Sequence, residues 1–174
     1  KKKGYRLCLD LRELNLISEH LPKPIPDVIE CLDALGNNEI FTSLDLNNAY
    51  HQIPTKESDQ EKTAFTVGGR KYMYPVMLFG SLNAPFFFAQ LMDIVFGDIA
   101  MVQLVVYLDD LLIFSKDLDT HLDRLNETLD RLIKANLKLK LAKCSFGYSQ
   151  VRFLGFIISK SGIVPNPEKV RNIM

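Results

Sequence analysis

The 174-residue sequence has few of the residues that mark several classes of protein. It has no tryptophan, three histidines and three cysteines, and the cysteines are far apart at Cys8, Cys31 and Cys144. An odd number of separated cysteines without a Cys-x-x-Cys pair argues against both a disulfide framework and a zinc site. We therefore expect free thiols in a reducing, intracellular setting.

Long apolar runs are also missing. No stretch approaches the roughly 18 residues that span a bilayer, and Lys1–Gly4 lacks the apolar core of a signal peptide. The composition, 47% hydrophobic and 24% charged, is typical of a folded domain, and the length allows one domain or two small lobes. Because the chain starts without a Met, we expect it to be a piece of a longer protein.

The formal net charge is zero, but the charge is unevenly distributed. Residues 134–174 hold eight basic side chains and one acid, whereas residues 1–60 hold ten acids and seven bases. A basic end beside an acidic remainder predicts either a surface that follows a phosphate backbone or an ordinary solvated face.

Local patterns predict alternating strands and helices. We expect strands at 5–11, 40–46, 138–141, 152–154 and 156–158, hairpins at 62–76 and 102–114, and helices at 26–36, 85–96, 119–134 and from 166. The buried stripe of the helix at 119–134 is predicted to be Leu118, Leu122, Leu125, Leu129, Leu132 and Ile133. This order predicts an α+β fold, a sheet with helices on one side.

Two adjacent aspartates, Asp109 and Asp110, lie inside the apolar run 105–114. Neighbouring carboxylates repel each other and resist desolvation, so a buried hairpin tolerates them where a cation compensates. The other interpretation is a type I′ turn that uses Asp-Asp for its left-handed backbone. Asp45 ends a second apolar strand, and if the two strands pair, three carboxylates converge. Such oxygen ligands suit Mg²⁺ or Mn²⁺, and two ions can activate an attacking oxygen and stabilise a leaving pyrophosphate.

Ordered motifs cover nearly the whole chain. They are Tyr5–Asn15, Phe41–Ile53, Lys62–Phe65, Leu78–Pro85, Tyr107–Asp110, Lys143–Cys144 and Phe153–Gly155. On these motifs the sequence resembles the reverse transcriptase of gypsy-type LTR retrotransposons, a part of the Pol polyprotein. The resemblance implies a right-hand polymerase with an antiparallel palm sheet and helices packed on one face. Fingers are expected at about 1–40 and 54–84, palm at about 41–53 and 85–158, and the start of a thumb linker at about 159–174.

The activity that the resemblance implies is RNA-directed DNA polymerisation, the addition of deoxynucleotides to a primer by two-metal phosphoryl transfer. Asp45, Asp109 and Asp110 match the acids that bind two Mg²⁺ or Mn²⁺ ions, with the backbone carbonyl of Leu46 as a further ligand. Lys143 matches a lysine near the departing pyrophosphate and is a candidate general acid.

The resemblance also implies binding residues. Lys2 and Arg6 match the groups that grip the triphosphate, Tyr50 matches the side chain under the sugar that excludes a 2′-hydroxyl, and Phe79 and Gly80 match the lining of the nucleotide pocket. The primer grip is matched by Phe153, Leu154 and Gly155. Without the resemblance, Tyr50 indicates a core aromatic and the lysine run a solvated tip.

The partners implied are an RNA or DNA template, a primer, dNTPs and the rest of Pol, which comprises thumb, connection, RNase H and integrase. No membrane partner is expected. The expected location is the cytoplasm, in a virus-like particle, or the nucleus.

Three departures from the family pattern leave an alternative open. Leu78 stands where the family has Pro, Ser81 interrupts the same loop, and Ala89 replaces a Gln. These changes favour a decayed or domesticated copy that binds nucleic acid without polymerising, whereas the intact acids favour an enzyme. A nucleotide cyclase is disfavoured, because Arg70 and Lys71 follow the Gly-Gly turn where acids would be expected.

Overall fold

The computed structural model describes residues 7–22 and 26–167. Lys2 and Arg6 lie outside this part, as does the expected final helix beyond Pro167. The helices are α1 Arg12–Ile17, α2 Val28–Leu35, α3 Glu57–Gln60, α4 Ala84–Phe96 and α5 Leu118–Lys134. The strands are β1 Ile40–Asp45, β2 Phe65–Val67, β3 Arg70–Tyr72, β4 Leu104–Tyr107, β5 Asp110–Ser115, β6 Ser145–Tyr148, β7 Gln150–Phe153, β8 Phe156–Ser159 and β9 Gly162–Pro165. No helix in the described ranges is long and apolar enough to cross a membrane.

The chain forms two compact units. Unit 1 comprises residues 1–23 and 48–90, and unit 2 comprises residues 24–47 and 91–174. The subdomain boundaries implied by the resemblance stay a prediction.

Unit 2 is built on an antiparallel sheet with the strand order β4-β5-β1-β6. Its central strand β5 is buried from Leu111 to Ser115, and the neighbouring strand β1 is buried at Phe41, Thr42 and Leu44. Phe41 of β1 joins a core with Cys31 and Leu35 of α2 and with the three-stranded sheet β7-β8-β9. The preceding helix α2 begins at Val28 because the Asp27 side chain caps it by accepting from the Ile29 N–H.

The helix α5 packs against β5 and β1 through a face that differs from the predicted one. Its buried residues are His121, Thr128 and Leu132, whereas Leu118 and Ile133 are exposed. The predicted leucine stripe is therefore wrong in part. The reason is that the sheet presents the hydroxyl groups of Thr42 and Ser115 to this helix, and His121, which bonds to both, takes a buried position. Thr128 is buried because its hydroxyl donates to the Arg124 carbonyl of the helix itself.

His121 of α5 lies in a continuous chain of buried hydrogen bonds. The Ser115 hydroxyl donates to the Asp117 carbonyl, so its oxygen accepts from Nδ1–H of His121 at 3.0 Å. Nε2 of His121 then accepts from the Thr42 hydroxyl at 2.7 Å, and Thr42 Oγ1 accepts from the Gly147 N–H. Every group is satisfied only while His121 is neutral, and burial lowers the pKa of His121, with a smaller contribution from the charge of Arg124.

Unit 1 holds α1, α3, the hairpin β2–β3 and the first half of α4. The hairpin turns at Gly68 and Gly69, whose φ angles of 57° and 75° are those of a type I′ turn, as predicted.

Other local predictions were wrong. The described part of the expected strand at 5–11 has no strand and is followed by α1. The expected strand at 138–141 is a single bridge between Leu46 and Leu139, and β6 and β9 were missed. These segments are short and depend on tertiary pairing more than on their own alternation.

Candidate active site

The acids predicted to converge lie at one end of the unit 2 sheet. Asp45, the last residue of β1, is directly opposite Asp110, the first residue of β5. Asp110 also pairs with Tyr107 of β4, so Leu108 and Asp109 form the turn. The expected hairpin tip of Asp109 and Asp110 is therefore shifted by one residue. β1 pairs with β5, the condition on which the predicted convergence depended, and the pairing sets Asp45 opposite Asp110. A shared cation site formed by all three acids stays a prediction.

The turn carries local strain at Leu108, whose φ is 53°. The left-handed region costs a non-glycine residue about 1 kcal/mol. Asp109 has no positive φ, so the turn is not the type I′ turn considered from the sequence. The alternative interpretation of the aspartate pair, a tolerance of left-handed backbone, is thus wrong.

Lys143 neutralises part of this negative charge. Its Nζ lies 2.6 Å from Oδ2 of Asp45, and the contact raises the pKa of Lys143. Partial burial raises the pKa of Asp110, and the carboxylates of Asp109 and Asp45 raise it further, while Lys143 opposes them. Among residues 7–22 and 26–167, the carboxylates of Asp45, Asp109 and Asp110 therefore carry more negative charge than the Lys143 ammonium compensates.

The chemistry of this acid cluster suits a divalent cation, but the side chains do not have the arrangement of a formed metal site. Within the described ranges, no three carboxylate, thiolate or imidazole groups are close enough together to hold a metal ion. One oxygen of Asp45 is instead occupied by the Lys143 ammonium. The donor set is nevertheless hard oxygen with excess negative charge, which is what Mg²⁺ and Mn²⁺ prefer. Asp45, Asp109 and Asp110 thus fit the expected ions by chemistry.

The backbone of Asp45 is held by residues that the sequence analysis did not assign to the site. The Lys140 N–H donates to the Asp45 carbonyl at 2.8 Å, and the Asp45 N–H donates to Sγ of Cys144 at 3.4 Å. Leu46 is buried and bridges to Leu139. The Lys143–Cys144 motif indicated that Cys144 lies near the site, but the sequence around it does not indicate that its thiol contacts the Asp45 N–H.

Three of the residues predicted to bind the nucleotide, Tyr50, Phe79 and Gly80, lie in the described part of the chain, and all three are in unit 1. Tyr50 lies in a 3₁₀ turn, Ala49–Gln52, and its ring packs edge-on against Phe79 and Phe88 at centroid distances of 5.3 and 5.6 Å. Gly80 has a φ of 88°, a conformation that requires glycine.

The pocket loop is held by Asn15, which the sequence analysis did not single out. The Asn15 amide donates to the Gly80 carbonyl at 2.8 Å and accepts from the Leu82 N–H at 2.9 Å. Leu78 of the same loop is buried. Side-chain bonds and packing therefore constrain a loop in which the family's proline is missing.

The residues of the expected primer grip form the turn between β7 and β8. Phe153 pairs with Phe156 and is buried, while Leu154 and Gly155 have φ angles of 49° and 88°. The Gly155 carbonyl accepts from the Asn166 N–H at 2.9 Å, which fixes the turn to the end of β9.

Solved structures share this fold. The chain superposes with a TM-score of 0.86 and 26% identity on a foamy viral protease-reverse transcriptase in complex with an RNA/DNA hybrid, covering 99% of this chain and 24% of that one. A second foamy viral structure, in complex with double-stranded DNA, gives a TM-score of 0.87 and 26% identity over 97% of this chain and 30% of that one. The predicted α+β fingers-palm class is confirmed.

Sequence relatives define the family. The model described as reverse transcriptase (RNA-dependent DNA polymerase) matches residues 1–158. The retrovirus-related Pol polyprotein from transposon opus of Drosophila melanogaster is 42% identical over 99% of this chain and 17% of that protein. The corresponding polyprotein from transposon gypsy of the same organism is 39% identical over 97% of this chain and 16% of that protein. The chain belongs to the reverse transcriptase family, and the resemblance to gypsy-type retrotransposons is confirmed. It spans about a sixth of the length of these relatives.

Proposed function

We propose that this chain is the catalytic core of an RNA-directed DNA polymerase, part of a retrotransposon Pol polyprotein. The observation that carries the proposal is the register that sets Asp45 opposite Asp110, with Asp109 next to it in the turn. Buried strands end in carboxylates at this point, although like charges directly opposite each other destabilise a sheet. Such an arrangement is useful where the reaction needs concentrated negative charge.

Asp45, Asp109 and Asp110 are proposed to hold the divalent cations, Mg²⁺ or Mn²⁺, with the Leu46 carbonyl. When bound, two such ions activate a primer hydroxyl and neutralise a leaving pyrophosphate. Lys143, whose ammonium lies 2.6 Å from the Asp45 carboxylate in this structure, is proposed to donate a proton to the departing pyrophosphate. The Cys144 thiol and the Lys140 N–H hold the Asp45 backbone while its carboxylate exchanges partners.

The remaining roles concern binding. Tyr50 is proposed to contact the deoxyribose, a role that its edge-on packing against Phe79 and Phe88 supports by fixing the ring. Phe79 and Gly80 are proposed to line the nucleotide pocket, and Phe153, Leu154 and Gly155 to hold the primer. Template, primer, dNTPs and the other Pol segments are the proposed partners, and the cytoplasm or nucleus the proposed location.

Primer extension on an oligo(dT)-primed RNA template with Mg²⁺ or Mn²⁺ tests the proposal. Asp109→Asn is expected to lower extension by orders of magnitude while the thermal melt changes little, since Asp109 is exposed and its charge both repels Asp110 and attracts Lys143. Asp123→Asn, the same change at an exposed position of α5, is the matched control and should extend like wild type. Extension by Asp109→Asn near the wild-type rate would refute the assignment.

A second candidate function is binding without polymerisation, which Leu78, Ser81 and Ala89 favour. If the natural chain folds and binds template-primer but does not extend it, primer extension by the double variant Leu78→Pro, Ala89→Gln distinguishes the two functions. Extension by the double variant alone would identify the natural chain as a decayed copy. Extension by the natural chain excludes this alternative.

A further inference from the structure

Unit 1 contains a cavity with a volume of about 450 Å³, and the residues that line it all belong to this unit. The apolar side chains of the lining include Leu11, Leu14, Ile53, Met77, Leu78 and Phe87. Protein interiors have few voids larger than a water molecule, whereas ligand sites have volumes of about 300–1,000 Å³ and mainly apolar linings. The cavity therefore has the size and the lining of a small-molecule site.

Apolar surface around the cavity is left uncovered. Phe87 of α4 is 44% exposed, whereas Ala84 and Phe88 of the same helix are buried. Ser81, one of the departures from the family pattern, also lines the cavity and has a short side chain. A longer apolar side chain at this position would fill part of the space. The short serine and the uncovered ring thus leave room for the apolar part of a ligand.

The polar part of the lining carries a net positive charge. Its charged side chains are Lys56, Asp59 and Lys62. Nζ of Lys62 lies 2.7 Å from Oδ1 of Asp59, and this contact lowers the pKa of Asp59, so these two charges compensate each other. Among residues 7–22 and 26–167, Lys56 has no ion-pair partner. One ammonium matches a single carboxylate, whereas a triphosphate brings several negative charges.

We propose that the cavity binds a small molecule with an apolar body and one carboxylate. The body packs against Phe87 and the neighbouring apolar side chains, and the carboxylate lies next to Lys56. Binding also holds the loop at residues 78–83, because Leu78 and Ser81 both line the cavity. The site itself does not need polymerase activity, and only the effect of the loop on nucleotide binding rests on the proposed function.

An NMR titration of the isotope-labelled full chain tests the site without metal, primer or dNTP. The probes are octanoate and octanamide, which have the same apolar chain and differ in the charge of the head. We expect wild type to bind octanoate about fivefold tighter than octanamide, the value of one partly exposed ion pair. Lys56→Gln should bind the two probes equally.

Lys71→Gln is the matched control, because Lys71 is an exposed lysine of the same unit that does not line the cavity. It should keep the preference for octanoate. Equal binding of the two probes by wild type would overturn the proposal. So would a preference that Lys56→Gln retains, because the carboxylate would then lie elsewhere.

Ser81→Leu tests where the apolar body binds. The leucine takes up space in the cavity, so both probes should bind about tenfold more weakly, which corresponds to the loss of about two buried methylene groups. Ser58→Leu, the same change at an exposed position of α3 outside the lining, should bind both probes like wild type. Unchanged affinity in Ser81→Leu would contradict the site. Lys56→Gln changes an exposed side chain and keeps the proposal testable if Ser81→Leu does not fold.

Amide hydrogen exchange reports the loop. With octanoate at about ten times its Kd, exchange at the Ser81 and Leu82 N–H groups should slow by up to about tenfold in wild type and much less in Ser81→Leu. Equal exchange with and without octanoate would overturn the effect on the loop.

Failure of the site and failure of the proposed function are distinguishable. A chain that binds octanoate with the expected preference but extends no primer would support the site and refute the polymerase. A chain that extends a primer but binds octanoate and octanamide equally would do the reverse.

Discussion

The Asp45 N–H donates a hydrogen bond to the thiol of Cys144, with nitrogen and sulfur 3.4 Å apart. Lys143, the residue before Cys144, holds the carboxylate of the same aspartate at 2.6 Å. Two consecutive residues, the last residue of the 3₁₀ turn Leu141–Lys143 and the residue after it, thus hold the side chain and the backbone of one acid. The position of Asp45 therefore depends on a segment almost 100 residues away in the chain.

Cys144→Ala is expected to lower kcat for primer extension by about two- to tenfold, the value of one modest hydrogen bond. The Asp45 backbone is then free to shift, while the KM for dNTP changes little. Cys144→Ser, whose hydroxyl can accept the same N–H, should recover part of the loss. Cys31→Ala is the control, because Cys31 is buried in the core away from the acids: it should lower the melting temperature and leave kcat unchanged at permissive temperature.

Lys143→Gln is expected to reduce kcat by about a hundredfold or more, as for loss of a general acid, with a smaller effect on KM for dNTP. Steady-state extension kinetics measure both constants. Lys140→Gln in the same segment changes an exposed side chain but keeps the backbone bond to Asp45, and it should behave like wild type. Equal effects of the two substitutions would contradict a specific role for Lys143.

Asn15→Ala removes both hydrogen bonds that hold the loop at Gly80 and Leu82. We expect the KM for dNTP to rise by about three- to thirtyfold, since each bond contributes about 1 kcal/mol. The kcat at saturating dNTP should fall less. Asn126→Ala, at an exposed position of α5, controls for the loss of an amide and should change neither constant. An unchanged KM in Asn15→Ala would mean that packing of Leu78 alone fixes the loop.

His121 predicts a pH dependence of stability. Its pKa is lowered in the folded chain, so the unfolded chain takes up a proton first as the pH falls. The contribution of neutral His121 to the free energy of unfolding is therefore fully present above the ordinary histidine pKa of about 6.5. Below that pH this contribution decreases by up to about 1.4 kcal/mol per pH unit. Urea unfolding at several pH values between about 5.5 and 7.5 measures the slope.

The matched variant is His121→Gln, whose amide can donate to Ser115 and accept from Thr42 without titrating. It should flatten the slope in this range. The pKa values of Asp98 and Asp117 are also lowered, so their contribution to folding stability is lost only at more acidic pH, outside the range measured. An equal slope in wild type and His121→Gln would rule out the histidine as its source.

Several features could be predicted from the sequence because they depend on local chemistry. The Gly68–Gly69 turn follows from the positive φ angles that glycine allows. The register that sets Asp45 opposite Asp110 agrees with two apolar runs that each carry an acid at one end. Asn15 and Cys144 could not be assigned their contacts in this way, because each bonds to backbone far away in the chain.

The sequence by itself determined the family and the order of the main elements, since ordered motifs and hydrophobic patterns are local properties. The tertiary structure decided which face of α5 is buried. Hydrophobic periodicity favoured the leucine stripe, but the hydroxyls of Thr42 and Ser115 required polar partners, and an unsatisfied buried hydroxyl costs more than an exposed leucine. Long-range pairing likewise decided the ion pair between Lys143 and Asp45, a contact that no local pattern of the sequence specifies.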